Sequence, residues 1–167
     1  CFKIIDHRKD WLKIRNQWDS YEGWICSNQC VEISKDIYKS NSELEVKNSA
    51  NLLGYVSLPN SELFPIPLGS DLRHIDVLNH QFEGEFTSTR DKNQLVKTAY
   101  SYLNAPYLWG GKTPFGIDCS GFSQMVYKLN GIQLKRDASQ QAKQGTTLSF
   151  IEESEPGDLA FFDNKEG

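Results

Sequence analysis

The chain has 167 residues, with 18 Lys and Arg against 22 Asp and Glu and a net charge of −4, so it offers no basic surface to neutralise a nucleic-acid backbone. No stretch approaches the ~20 apolar residues that cross a bilayer, and no basic-then-apolar leader opens the sequence. Neither a nucleic-acid partner nor a membrane span is expected, and the uneven distribution of apolar segments favours several small modules over one block.

The first residue is Cys1, and "CFKIIDHRKDWLKIRNQW" opens directly in strand-like sequence, so the chain is expected to begin inside a domain. A lipid-modified Cys1 is the competing reading, but such a cysteine normally precedes a flexible polar spacer. Residues 2–33 read as β: "FKIID", a charged turn "HRKD", "WLKIRNQW" with Trp11, Leu12 and Ile14 set against Lys13 and Arg15, a turn at Asp19 and Ser20, and "GWICS". This is half of a small barrel. Residues 35–87 carry further short apolar pieces, "NLLGYVSL", "LFPIPLGSDL" and "HIDVLNHQFEGEF", punctuated by Pro65, Pro67, Gly54, Gly69 and Gly84, which again suggests compact β structure. Four cysteines are too few for a disulfide scaffold. Cys26 and Cys30 lack the further ligands a zinc site needs; packing as small residues is their expected role and a local bridge stays open. No metal or other cofactor is expected.

At Ser88 the pattern changes to helical. Leu95, Val96, Ala99, Tyr102 and Leu103 share one face, Ser88 and Asp91 have capping-box spacing, and Pro106 stops the helix. A second helix spans about 118–129, with Phe122, Met125, Val126 and Leu129 at i, i+3, i+4 and i+7, and ends at Gly131. A loop containing "DASQQAKQG" follows, then a turn and an apolar strand over residues 159–162.

Cys119 stands in the first turn of that second helix, where free backbone N–H groups and the positive end of the helix dipole favour thiolate over thiol. Asp118 can cap the turn, Gly110, Gly111 and Gly116 let the preceding loop approach closely, and the Cys119 N–H can serve an oxyanion hole. Local sequence leaves two readings open, a nucleophile or one more small buried residue.

The longer string "PYLWGGKTPFGIDCSGFSQMVYKLNGIQLKRDASQQAKQG" followed by "EPGDLAFF", residues 106–162, resembles the NlpC family of bacterial cell-wall cysteine endopeptidases, which have a reduced papain-like fold. Upstream, "DWLKIRNQWDSYEGWI" looks like the closing half of a bacterial Src-homology-type barrel. Two such barrels before an NlpC module resemble the γ-D-glutamyl-L-diamino acid peptidases, which process murein peptides with a free N-terminal L-alanine. The resemblance implies an α+β chain: half a barrel over residues 1–34, a second barrel over 35–87, and the N-terminal part of a catalytic domain over 88–167, cut at both ends. It implies Cys119 as nucleophile, Tyr107 as oxyanion support, and Asp118, Ser120, Ser139 and Tyr21 as substrate contacts. Against these roles stand plainer ones: Tyr107 and Tyr21 as packing aromatics, Asp118 as a cap only, Ser120 and Ser139 as solvated hydroxyls. Trp109 reads as cleft wall or core.

A cysteine nucleophile needs a histidine base held by a polar group. His7, His74 and His80 all precede Cys119 in the presumed barrels, and by the family pattern the base lies just beyond Gly167. The 167 residues alone are therefore expected to hydrolyse nothing, whereas the parent protein is expected to be active. The resemblance implies a peptidoglycan-derived peptide as partner, in the cell envelope or periplasm, with recycling of murein fragments inside the cell as the alternative. The diamino acid and the oligomeric state stay open, as does the alternative of a murein-binding protein with a degenerate catalytic domain.

Overall fold

The computed structural model describes residues 1–87 and 92–162. The chain opens with an antiparallel meander of β1 (Phe2–Arg8), β2 (Trp11–Asn16) and β3 (Glu22–Cys26). Lys9 and Ser20 adopt left-handed backbone in its two turns, with φ of 50° and 60°. Alternation along β2 buries Leu12 and Ile14, while Trp11 stays exposed beside Lys13 and Arg15. The sheet has three strands and two unpaired edges, so among the described residues there is no closed barrel.

Residues 35–87 do not begin as β. Ser34 accepts a hydrogen bond from the Ile37 N–H and starts α1 (Lys35–Glu43), a polar helix with too few apolar residues to show a periodic stripe. Beyond it, β5 (Leu53–Ser57) pairs with β6 (Leu63–Pro67) and β7 (Gln81–Glu83), and β4 (Asn48–Ser49) pairs with β8 (Phe86–Thr87). These are two small sheets, again not a closed barrel. Leu68 leaves them to enter the main core, and the next residue, Gly69 (φ 80°), lies so close to α3 that a Cβ would fall 2.2 Å from the Met125 methyl.

The expected Ser88–Asp91 capping spacing lies outside the described residues. The helix is shorter than its apolar pattern: a 3-10 turn over Lys92–Gln94 leads into α2 (Leu95–Tyr100). After Tyr100 the chain tightens into i to i−3 turns, with Tyr102 N bonded to Ala99 O and Leu103 N to Tyr100 O. That tightening keeps Leu95 and Tyr102 inside but turns Leu103 outward, 68% exposed, and Val96 also stays outside the core. Two short strands, β9 (Lys112–Thr113) and β10 (Gly116–Ile117), then deliver the chain to α3 (Cys119–Leu129). On α3, Met125, Val126 and Leu129 are buried with Leu68, Leu95, Tyr102 and Ile117, and Phe122 meets Tyr102 edge-on at 6.0 Å between centroids. Gly131, at φ 74°, ends the helix.

Two later expectations are corrected. The "DASQQ" loop contains a single-turn helix, α4 (Ala138–Gln141), because Asp137 accepts the N–H groups of Gln140 and Gln141 through its carbonyl. Residues 159–162 form no strand, since none of the described strands runs beside them to complete a ladder. All four cysteines are free, and Cys30 Sγ lies 3.1 Å from the Ser27 carbonyl it donates to.

The approach of α3 to the β9–β10 hairpin depends on missing side chains. A Cβ on Gly121 would sit 2.4 Å from the Gly111 carbonyl oxygen, and one on Gly111 2.3 Å from the Gly116 oxygen. Both obstacles are backbone. Gly121→Ala is therefore expected to destabilise the protein by about 2 kcal/mol in urea denaturation, whereas Gly145→Ala, which meets nothing within 4 Å, stays within about 0.5 kcal/mol. Equal effects would show that the close approach is not required.

Candidate active site

Asp118 caps α3 and is buried at 6% exposure. Its Oδ1 accepts from the Gly121 N–H at 2.6 Å, from Arg136 Nη1 at 3.1 Å and from the Ser120 hydroxyl at 3.3 Å. Its Oδ2 accepts from the Gly110 N–H at 2.8 Å and from Arg136 Nη2 at 2.5 Å. Burial alone would raise the pKa of this carboxyl, but the Arg136 guanidinium and the two backbone donors outweigh it and hold the pKa down at about 2. The same pairing raises the pKa of Arg136. One carboxylate thus ties the Gly110 loop, the start of α3 and the segment before α4 into a single unit.

The second tie is Ser120. Arg136 Nη1 donates to its hydroxyl at 2.8 Å, and Gln141 Nε2, buried on α4, donates to its carbonyl at 2.9 Å and to that of Lys135 at 2.8 Å. Cys119, between these two fixed residues, is exposed. The Asp118 side chain takes the Gly121 N–H and the Asp118 carbonyl takes that of Phe122. The N–H groups of Cys119 and Ser120 remain unclaimed among the described residues, the donor pattern expected at a helix start.

The other expected site residues are placed as follows. Tyr107 runs beside Ile117, with Leu108 N bonded to Ile117 O and Ile117 N to Pro106 O, and its ring is exposed. Tyr21 is exposed, and its backbone N–H donates to Asp19 Oδ1 at 3.0 Å. Ser139 is exposed on α4, two residues before the Gln141 that holds Ser120. Trp109 is 86% exposed, which removes core packing as its role. His7 is exposed in β1, His74 contacts the Cys1 amino group at 3.0 Å, and His80 follows the left-handed turn at Asn79; none is hydrogen-bonded to the Cys119 cluster.

Three residues escaped sequence reading. Arg136 lay in a charged run, "KRD", that reads as a solvated loop; a buried carboxylate at position 118 is the signal that demands a cation nearby. Asp19 and Gln124 form the other unseen contact. Asp19, 3% exposed in the β2–β3 turn, accepts from Gln124 Nε2 at 3.1 Å, and Gln124 is fully buried midway along α3. Lys112 Nζ approaches Asp19 Oδ2 at 3.9 Å, and Lys135 Nζ donates to the Asp19 carbonyl at 3.1 Å. The turn bearing Tyr21 is thereby latched to the helix bearing Cys119.

Residues 104–167 match the model of the NlpC/P60 family. This stretch belongs to that family. Over 88% of its length the chain is 31% identical to a γ-D-glutamyl-L-lysine dipeptidyl-peptidase of Bacillus subtilis, covering 53% of that protein. A protein of the same name from Bacillus cereus is 27% identical over 98% of the chain and 58% of its own length. The crystal structure of an NlpC/P60 family protein from Bacillus cereus superposes with a TM-score of 0.70 at 20% identity, covering 93% of this chain and 60% of that one, which gives the NlpC/P60 module its papain-like fold. The chain spans a little over half the length of these relatives.

Two outcomes follow for the NlpC/P60 module. Because the Asp118 pKa is depressed below its ordinary value, its contribution to stability is complete above about pH 4 and is lost as pH falls through 2, a change of about 2 kcal/mol. Urea titrations across this range should show that loss in the parent and not in Asp118→Asn; identical pH slopes would contradict the pairing. For the latch, the double-mutant cycle of Asp19→Ala with Gln124→Leu should give a coupling of about 1 kcal/mol, and strict additivity would show the contact to be energetically idle.

Proposed function

We propose that the full-length protein is a cysteine peptidase that hydrolyses the bond between γ-D-glutamate and an L-diamino acid in murein peptides with a free N-terminal L-alanine. The observation that carries this reading is the buried Asp118–Arg136 pair, which fixes the start of α3 and leaves Cys119 exposed beside two unclaimed N–H groups. The names of the relatives from Bacillus supply the bond type.

In this mechanism the Cys119 thiolate attacks the γ-glutamyl carbonyl. The oxyanion is met by the Cys119 N–H, with the Tyr107 phenol as second donor. The diamino acid leaves as a free amine, and water hydrolyses the thioester. Ser120, fixed by Arg136, and Tyr21, carried in by the Asp19 latch, form the polar wall that receives the N-terminal residue. Asp118, ionised above its depressed pKa, keeps Arg136 and through it Ser120 in place, and Ser139 contributes from α4. The proton is taken by a histidine other than His7, His74 and His80. Residues 1–34 and 35–87 act as the upstream modules that restrict the cleft, and the protein works on cell-envelope murein or its fragments.

The test is incubation of full-length protein with L-Ala-γ-D-Glu-L-Lys and with its diaminopimelate counterpart, reading released dipeptide by chromatography. Cys119→Ala should abolish release, Tyr107→Phe should slow it by about a hundredfold, and N-acetylation of the substrate should suppress it. Release by Cys119→Ala at the parent rate would refute the reading. Tripeptide binding by the parent without cleavage would replace it with a murein-binding role.

A further inference from the structure

The outer face of the N-terminal meander takes no part in the proposed peptidase chemistry. Leu12 and Ile14 turn one side of β2 inward, so Trp11, Lys13 and Arg15 point the other way. The cross-strand register sets Arg8 beside Trp11, Asp6 and Trp24 beside Lys13, and Glu22 beside Arg15. The register shift between Ile4 and Asp6 is essential to this, since an unbroken ladder would place Asp6 and Arg8 on the inner side with Ile4.

Two indoles stand open on this face, Trp11 at 53% exposure and Trp24 at 39%. They are diagonal neighbours on adjacent strands, about 7–8 Å apart along the backbone. Arg8 lies 5.1 Å over the Trp24 ring and has no carboxylate within ion-pair reach among the described residues. An indole beneath a guanidinium orients its fork without consuming its donors, which stay available to an incoming carboxylate. Lys13 and Arg15 share a single carboxylate, that of Glu22, at 3.0 and 2.7 Å. Cations therefore outnumber anions on this face, although the chain as a whole carries a net charge of −4.

Side-by-side indoles on an open sheet match flat, rigid rings with apolar faces and polar rims, the form of a pyranose sugar in a polymer. The charge pattern narrows the class further. Asp6 and Glu22 stand among the cations, so a nucleic-acid strand, with a charge every ~3.4 Å, would bring phosphates against both. A strand whose charges are widely spaced avoids them. We propose that this face binds an acidic glycan strand, its sugar rings on Trp11 and Trp24 and a carboxylate on Arg8. The source of that strand rests on the murein reading: a murein glycan freed of its stem peptides carries a carboxylate on alternate sugars. Arg15 and Glu22 end the face at the turn that bears Asp19 and Tyr21, about 14 Å along β2 from Trp11. Bound glycan would thus hold the protein where stem peptides are released.

The test follows fluorescence anisotropy of end-labelled, peptide-free murein glycan strands titrated with full-length protein to about 1 mM. Saturable binding is expected, weakened about tenfold or more in Trp11→Ala, in Arg8→Gln, and for strands whose carboxylates are converted to amides. Trp11→Ala should release dipeptide from L-Ala-γ-D-Glu-L-Lys at the parent rate. Single-stranded oligothymidylate and phosphatidylglycerol vesicles, at equal total charge, should leave the glycan bound. The amidated strands need no variant, so the proposal remains testable should Trp11→Ala fail to fold. No saturable binding, equal binding of amidated strands, undiminished binding by folded Trp11→Ala, or displacement by the oligonucleotide or the vesicles would each overturn it. Dipeptide release without glycan binding would overturn this proposal alone, and glycan binding without dipeptide release would uphold it while refuting the peptidase reading.

Discussion

The site rests on one buried ion pair. Asp118 and Arg136 are both under 10% exposed, and neither could be buried alone without a large desolvation cost. Together they are covered because every strong lone-pair direction of the carboxylate is met by a donor, two of them backbone N–H groups that a side chain elsewhere could not supply. The pair also explains the glycines around it. Gly110 presents its N–H to Oδ2 from a left-handed backbone (φ 81°), and Gly121 brings its own to Oδ1 while lying against the Gly111 carbonyl. A buried charge and a close backbone approach thus make the same demand on the sequence "GG" and "DCSG".

The same helix is gripped at three points along its length. Asp118 and Arg136 hold its start, Asp19 of the N-terminal meander holds its middle through Gln124, and the Gly69 turn packs on Met125 and accepts from Lys128 near its end. Each grip comes from a different part of the chain. Apolar contacts on one face of α3 would fix its position only loosely; directional hydrogen bonds to buried groups fix its rotation and depth as well. That rotation decides which way Cys119 points.

What could be read from sequence divides by physical range. The apolar period of Met125, Val126 and Leu129 and the cap at Asp118 are local, and the structure returns the second helix where the pattern put it. The strands at Trp11–Asn16 and Leu53–Ser57 were legible for the same reason. The helix Lys35–Glu43 was not, because Ile37 and Tyr38 alone make no stripe. Residues 159–162 have strand composition, but a strand exists only where a neighbour completes its ladder, which composition cannot report. Arg136 and Asp19 were invisible because their partners lie 18 and 105 residues away, and a charged residue reads as solvated until something buries it. Cys119, Asp118 and Ser120 stood out through a motif; the contacts that organise them did not.

The central claim is that the guanidinium of Arg136 holds the Asp118 carboxylate against the amides of Gly110 and Gly121 and thereby sets the start of α3. Amide hydrogen exchange by NMR in Arg136→Met, compared with the parent, tests it directly. The account expects protection of the Gly110 and Gly121 amides to fall by about tenfold or more, roughly 1.4 kcal/mol, while that of Val126, deeper in the same helix, holds. Unchanged protection at both glycines would contradict it.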